Sequence, residues 1–293
     1  MTPAGRFAPS PSGELHVGNL RTAILAWLFA RSTGRDFLLR VEDLDRARAG
    51  AEAEQLRDLA AIGVTWDGAV VRQTDRGAVY DDAIRLLRDE GLTYECFCTR
   101  REIQEAPSAP HAPQGAYPGT CRNLDPAELE FKRSTRPAAI RLRADVTEYT
   151  VRDVLQGEFR GVVDDFVLRR NDGVTAYNLA VVVDDAAQGV DQVVRGDDLL
   201  PSTPRQAYLA SLLHIPVPEY VHVPLVVNSD GARLAKRDGA VTLTGLALAR
   251  VTVTDVRDLI LQSLRLPAGT LEQALAEFRP GNLPRDPWVW PGM

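Results

Sequence analysis

Cysteine, methionine and histidine are scarce in this chain: 3, 2 and 4 of 293 residues. Three closely spaced cysteines form an odd set, which argues against a disulfide framework. Long hydrophobic runs are missing. No stretch approaches the roughly 20 apolar residues of a membrane span. Residues Met1 to Arg6 hold no basic region leading into an apolar core, so no secretory signal is expected and the location predicted is cytoplasmic. An excess of positive charge is also absent, the formal net charge being −6. Binding to nucleic acid therefore requires a local patch and not the overall field. Neither an internal repeat nor a long low-complexity tract occurs.

What is present is ordinary for a globular protein: 45% hydrophobic and 25% charged residues. The length suits about two domains. Leu20 to Arg31 reads as an apolar helix and Phe37 to Val41 as a buried strand ending in Glu42-Asp43, the start of a βαβ unit. Glu52 to Ile62 and Val79 to Glu90 read as amphipathic helices closed by Gly63 and Gly91. Leu92 to Cys98 is strand-like, and the Pro-rich stretch 105–119 is a loop. Ala139 to Arg143 is a strand, and Phe159 to Arg169 a hairpin or strand pair. Asn178 to Val183 is a strongly apolar run ended by Asp184-Asp185. Gln192 to Arg195 is a short strand. Thr203 to Leu213 is helical, with Ser202 or Thr203 as N-cap. Val221 to Val227 is a buried strand. Asp255 to Leu264 is helical, capped by Thr254. A further helix and a Trp/Pro-rich tail follow, the tail read as a hydrophobic cover. The alternation predicts an α/β core in two halves, residues 1–91 and 180–245. An insertion, residues 92–179, separates them, and 246–293 forms a short helical C-terminal segment.

Two loops carry the chemistry. The first runs Arg6-Phe7-Ala8-Pro9-Ser10-Pro11-Ser12-Gly13-Glu14-Leu15-His16-Val17-Gly18-Asn19 and leads into the apolar helix. Such a loop presents backbone N–H groups and a helix N-terminus to an anion. His16 and Asn19 can donate to phosphate oxygens, and Gly18 lets backbone come close to a nucleotide. The second is Arg233-Leu234-Ala235-Lys236-Arg237-Asp238-Gly239, a basic loop in which Lys236 can reach phosphates as a point charge. Both loops follow strand-like segments, and ligands of open parallel sheets bind at the carboxyl ends of strands.

Together the two loops resemble the His-x-Gly-His and Lys-Met-Ser-Lys-Ser signatures of class I aminoacyl-tRNA synthetases. The string Arg-Phe-Ala-Pro-Ser-Pro-Ser-Gly-x-Leu-His-x-Gly resembles the glutamyl branch of that family. Asn19 stands at the usual second His. Arg233, Ala235 and Arg237 depart from the second signature, while the central Lys is kept. The resemblance spans about residues 5 to 250 and implies a Rossmann-type parallel-sheet core. It implies ATP and Mg2+, with Pro9, Gly18, Asn19, Leu234 and Lys236 at the nucleotide and His16, Asn19 and Lys236 catalytic. It places Arg6, Ala8, Ser10, Glu42, Tyr177 and Arg195 at L-glutamate. That set is chemically apt: Glu42 can pair with the ammonium, and an Arg fork matches a carboxylate. Whether Arg195 or Arg6 takes the side-chain carboxylate stays open.

Cys96-Phe97-Cys98 with Cys121 offers three soft ligands suited to structural zinc. Their pattern resembles the Cys-x-Cys…Tyr-x-x-x-Cys clip of the glutamyl-queuosine branch, which implies Tyr117 as the fourth ligand. His111 is the chemically commoner choice. About 50 residues follow Thr244, fewer than anticodon-binding domains need. The short form resembles that same branch, whose members glutamylate queuosine at the wobble position of tRNA(Asp). A monomer with no membrane partner is expected. Two other readings are a truncated enzyme charging tRNA(Glu) and a non-catalytic paralogue that binds tRNA or an amino acid.

Overall fold

The computed structural model describes residues 2–105, 117–234 and 241–292. The first part of the chain forms strand β1 (Ala4–Phe7), helix α1 (Val17–Ser32), β2 (Asp36–Val41), α2 (Ala51–Ala61), β3 (Val71–Arg72) and α3 (Gly77–Asp89). Next come β4 (Thr93–Cys96), α4 (Arg100–Glu105), α5 (Pro126–Thr135), β5 (Ala139–Leu142), β6 (Glu148–Asp153), β7 (Gly157–Val162) and β8 (Val167–Arg169). The remainder forms α6 (Tyr177–Ala187), β9 (Val190–Gly196), α7 (Thr203–Leu212), β10 (Glu219–Val223) and β11 (Val226–Val227). It ends with α8 (Leu243–Leu248), α9 (Val253–Ser263), α10 (Leu271–Glu277) and β12 (Trp288–Val289).

The main sheet has the order β3-β2-β1-β9-β10-β6-β7. Its pairs are parallel except β6–β7. The chain builds outward from β1 to β2 and β3, then returns to place β9 on the other side of β1. The strand order therefore reverses between β1 and β9, where a crevice opens at the carboxyl ends. Arg6 and Arg195 stand near those ends, on either side of the switch. Helix α1 is buried nearly all round, from Val17 to Ala30, which explains why its sequence shows no polar stripe. It packs on β1 and β9 and is covered by α9 and α10, with Phe29 edge-on to Phe278 at 5.2 Å. A Cβ on Gly5 would lie 2.8 Å from Ala30 Cβ, so glycine is needed where α1 crosses β1. A separate core joins α3, α6 and α7.

Several expectations change here. Phe159 to Arg169 is not a hairpin. Strand β7 pairs with β6 in the main sheet, whereas β8 pairs with β5 in a small antiparallel sheet β4-β5-β8. The segment 92–179 is thus shared between two sheets. Val221 to Val227 is two strands, broken at Pro224, whose ring nitrogen has no proton for a ladder. Strand β11 turns away and pairs with β12. The apolar run Asn178 to Val183 lies inside helix α6, buried on most sides. The Pro-rich stretch lies mostly outside the described residues, and the segment leading into it, Arg100–Glu105, is helical. At α7 the Ser202 side chain makes no cap bond. No helix among the described residues is long and apolar enough to cross a membrane.

Helix α9 is capped by Thr252 and not by Thr254. The Thr252 hydroxyl accepts from the Asp255 backbone N–H at 3.1 Å, and the Asp255 carboxylate accepts from the Thr252 N–H at 2.9 Å. Urea denaturation provides the check. Thr252→Ala is expected to lower stability by about 1 kcal/mol. Thr254→Ala, at an exposed position within the first turn, is expected to change it by no more than about 0.5 kcal/mol.

Candidate active site

A cleft of about 840 Å³ opens at the switch point. Arg6, Ala8, Pro9, Ser10, His16, Gly18, Asn19, Glu42, Tyr177 and Arg195 all line it. Leu234 does not: its side chain is buried in the core, and its N–H donates to Val226 O at 3.0 Å. Lys236 lies outside the described residues, as does His111.

The first loop is held by its own polar groups. His16 is the N-cap of α1, and its Nδ1 accepts from Gly18 N–H at 3.1 Å. Asn19 Oδ1 accepts from His16 N–H at 3.2 Å and closes the capping box. An accepting carbonyl is what this position requires, which gives a local reason for Asn where the family signature has His. The first turn of α1 carries no acidic residue, so the positive end of its dipole meets the cleft unopposed. The loop itself also requires glycine at position 18. A Cβ there would lie 2.9 Å from the His16 ring and 3.4 Å from Val226 Cβ. Gln55, buried on α2, pins the loop by donating to Ser10 O at 3.1 Å and Gly13 O at 2.6 Å.

Beneath the cleft lies a buried ionic network. Asp185 accepts from Arg6 at 3.2 Å and from Arg40 at 2.7 Å. Asp184 accepts from Gln73 at 2.8 Å, from Tyr80 at 2.9 Å and from Arg76. Glu42 approaches Arg40 at 3.7 Å. Burial works against the Asp185 carboxylate, yet Arg6 and Arg40 hold it below its ordinary range. Burial dominates at Glu42 and pushes that carboxyl up, against the pull of Arg40 and Arg6. A cationic ligand group beside Glu42 would favour its charged form.

Arg195 is treated differently. Its Nε donates to His222 Nε2 at 3.0 Å, Nη2 to Thr203 Oγ1 at 2.9 Å, and Nη1 reaches Tyr177 Oη at 3.5 Å. These are neutral partners, and no carboxylate forms an ion pair with Arg195 among the described residues. Tyr177 keeps 40% of its surface exposed toward the open cleft. Burial and Arg195 push the His222 imidazole below its ordinary pKa, against the pull of Asp153.

Cys96, Cys98 and Cys121 come together elsewhere, their sulfurs within 4.8 Å of one another. Tyr117 Oη lies 3.3 Å from Cys96 Sγ and 3.6 Å from Cys98 Sγ, and accepts from Cys121 N–H at 2.8 Å. Arg141 sits 3.6 Å above the Tyr117 ring. Hydrogen bonds from Cys121 and Tyr117 draw the Cys96 thiol down to about 4, against burial. None of the four lines the cleft.

Arg40, Asp184, Asp185, Gln55 and the Asp153–His222 pair were not anticipated from sequence. Signals existed for some. Two adjacent carboxylates closing an apolar run need buried cations, and His222 interrupts an otherwise apolar strand.

The strand order, with a cleft lined by the first loop, is that of a class I synthetase catalytic core. A family model for tRNA synthetases class I (E and Q), catalytic domain, matches residues 4–273, and the chain belongs to that family. It is a class I aminoacyl-tRNA synthetase-like ligase. Among curated relatives, the glutamyl-Q tRNA(Asp) synthetase of Nocardia farcinica (strain IFM 10152) is 65% identical over 98% of this chain and 92% of its own length. That of Cutibacterium acnes (strain DSM 16379 / KPA171202) is 52% identical over 90% of this chain and 76% of its own. Among solved structures, a glutamate tRNA ligase from Elizabethkingia meningosepticum CCUG26117, in complex with its amino acid, superposes with a TM-score of 0.84. It shares 26% identity and covers 99% of this chain and 67% of its own.

The lowered pKa of His222 has a consequence for stability. On acidification the unfolded chain takes up the His222 proton first, near its ordinary value of about 6.5. Stability therefore falls as pH drops through and below that value. His222→Gln is expected to be less stable than the parent at pH 7. In urea denaturation the gap between them should narrow at pH 5.5, because only the parent loses the His222 contribution.

Proposed function

We propose that this chain activates L-glutamate with ATP and Mg2+ and transfers it to queuosine at the wobble position of tRNA(Asp). The observation that carries the glutamate reading is the contrast between two arginines in one cleft. Arg6 is already paired with Asp185, while Arg195 keeps its charge free of any carboxylate among the described residues. Arg195 is therefore the cation for the side-chain carboxylate, with Tyr177 beside it, and Glu42 takes the ammonium. Ala8 and Ser10 complete the amino-acid pocket. Pro9, Gly18, Asn19 and Lys236 serve the nucleotide, with His16, Asn19 and Lys236 on its phosphates.

The α-carboxylate of glutamate attacks the α-phosphorus in line and expels pyrophosphate; bound Mg2+ would supply charge neutralisation there. A hydroxyl of the queuosine cyclopentenediol then attacks the adenylate carbonyl and AMP leaves. Catalysis rests on orientation and charge stabilisation, and no covalent enzyme intermediate is needed. The acceptor assignment rests on the names of the relatives and the share of their length that this chain spans. We read 1–91 and 180–245 as the catalytic core, 92–179 as the inserted subdomain and 246–293 as the C-terminal segment of a cytoplasmic monomer.

Glutamate-dependent ATP–pyrophosphate exchange without tRNA is the test, with glutamine and aspartate as controls. Exchange with glutamate alone is expected. Label from glutamate should then enter tRNA(Asp) containing queuosine and not tRNA(Asp) lacking it. Charging of tRNA(Glu) instead would overturn the acceptor assignment. Arg195→Ala should lower kcat/KM for glutamate on the order of 100-fold, the scale of an orphaned buried charge.

The Cys96, Cys98, Cys121 and Tyr117 cluster fits a structural zinc ion. Zinc–sulfur bonds of about 2.3 Å in a tetrahedron put sulfurs about 3.8 Å apart, and Cys98 and Cys121 already stand at 3.5 Å. Bound zinc would tie β4 to the segment leading into α5. Elemental analysis should find about one zinc per chain. Cys121→Ser should lose it and lower the melting temperature. Tyr117→Phe should weaken retention against a chelator, whereas loss in His111→Ala instead would make His111 the fourth ligand.

A further inference from the structure

Arg195 is held in the site by a chain of buried groups that reaches across two further strands. Its Nε donates to His222 Nε2 at 3.0 Å. Arginine cannot accept, so Nε2 of His222 must be bare and its proton must sit on Nδ1. Nδ1 then donates to Asp153 Oδ2 at 2.6 Å. Asp153 is fixed in turn, accepting from the N–H groups of His222 at 3.0 Å and of Leu155 and Gln156 at 2.8 Å. His222 is fully buried and Asp153 2% exposed, so water does not substitute for either. Tyr220 packs against both partners, 5.5 Å from the Arg195 guanidinium and 6.0 Å from the His222 ring.

The order of groups matters physically. A carboxylate placed directly on Nε would fix the guanidinium but cancel its charge, as Asp185 does for Arg6. A neutral imidazole fixes the same edge and leaves the charge uncancelled at contact distance. Thr203, also neutral, takes Nη2. Neither His222 nor Thr203 lines the cleft, whereas Arg195 and Tyr177 do, so Nη1 is left at the ligand side.

We propose that His222 and Asp153 are positioning residues that fix the fork of Arg195 through a neutral acceptor and thereby set selection of glutamate over glutamine. This deepens the function proposed above and rests on Arg195 as the cation for the side-chain carboxylate. Glutamine differs from glutamate only in exchanging one carboxylate oxygen for an NH2. A guanidinium held still and uncompensated penalises that NH2, whereas one free to turn away does not.

The experiment is pyrophosphate exchange on the parent, His222→Phe, His222→Gln and Asp153→Asn, with KM measured separately for glutamate and ATP. His222→Phe removes the acceptor. Asp153→Asn keeps shape but offers an NH2 to Nδ1, which drives the proton to Nε2, against the Arg195 Nε–H. Both should raise the glutamate KM by about 10-fold or more and shrink the preference over glutamine, the ATP KM staying within about 2-fold. His222→Gln places an oxygen where Nε2 stood and should recover most of the glutamate KM. Heteronuclear NMR of the parent's histidine side chains gives a readout independent of mutation and should find a neutral imidazole with bare Nε2. Parent-like glutamate KM in folded variants, equal rises in both KM values, or a proton on Nε2 would each overturn the inference. No glutamate-dependent exchange in the parent itself would overturn the activity reading and this inference with it.

Discussion

The structure depends on the buried pairing of Arg6 and Arg40 with Asp184 and Asp185. Arg6 comes from β1, Arg40 from β2 and both aspartates from the end of α6, so the network ties helix to sheet at the switch point. Arg76 and Tyr80 extend it to α3 and the turn before it. Removing one member leaves a buried charge without its partner, a cost on the order of 3–5 kcal/mol. A well-packed apolar replacement of the whole set would not carry that cost. The network is therefore better understood through what it positions than through its net contribution to stability. Tyr177 is the first residue of α6, and Glu42 directly follows β2. Both reach the cleft because the elements that carry them are clamped below it.

The same network creates an electrostatic asymmetry within one pocket. On the β1 side, Arg6 is answered by Asp185. On the β9 side, Arg195 meets an imidazole, a hydroxyl and a phenol. A doubly anionic, singly cationic ligand needs one uncompensated cation, one reachable anion and donors for the remaining carboxylate. In the proposed reading Arg195, Glu42 and the N-terminus of α1 supply those three. Two arginines that look equivalent in the sequence have thus been given different work by their neighbours.

The parts legible in the sequence were those whose chemistry is local. The stretch from Arg6 to Asn19 forms a strand, a loop and a helix N-terminus in unbroken order, so His16 and Asn19 could be placed by reading along the chain. Gly63 and Gly91 close helices with positive φ, as expected for C-terminal glycines. The amphipathic helices α2 and α3 were visible in their periodicity. What was not legible depends on partners far away in the chain. Asp184 read as a terminator because Arg40 and Arg76 are more than 100 residues distant. His222 gave no hint of Arg195, because the register of β10 on β9, which sets them side by side, is a property of the sheet. Phe159 to Arg169 read as a hairpin or strand pair, but the strand character of a segment does not say which sheet it joins. Leu234 shows the opposite error: membership in a signature loop suggested a ligand contact, and the side chain is core.

The break at Pro224 links the far end of the chain to the site. With no proton on its nitrogen, Pro224 ends β10 and frees the next residues to leave the main sheet. They find a new partner in the C-terminal tail. Trp288 N–H donates to Leu225 O at 2.9 Å and Trp290 N–H to Val227 O at 2.8 Å. Arg21 secures the same corner from α1 by donating to Pro224 O at 2.7 Å, while its Nε reaches Ser263 on α9 at 3.2 Å. Leu225 and Val226 line the cleft, and Val227 leads within a few residues to Arg233, which pairs with Asp198 at 2.6 Å. The tryptophan tail is thus more than the hydrophobic cover expected for it. It completes the backbone bonding of the short strand that carries the second signature loop. That strand has only two residues, and without β12 and Arg21 little would fix its direction. Arg233 and Leu234, where the second signature loop begins, are therefore placed partly by residues at the far end of the sequence, which act through backbone bonds and not through any side chain within the cleft.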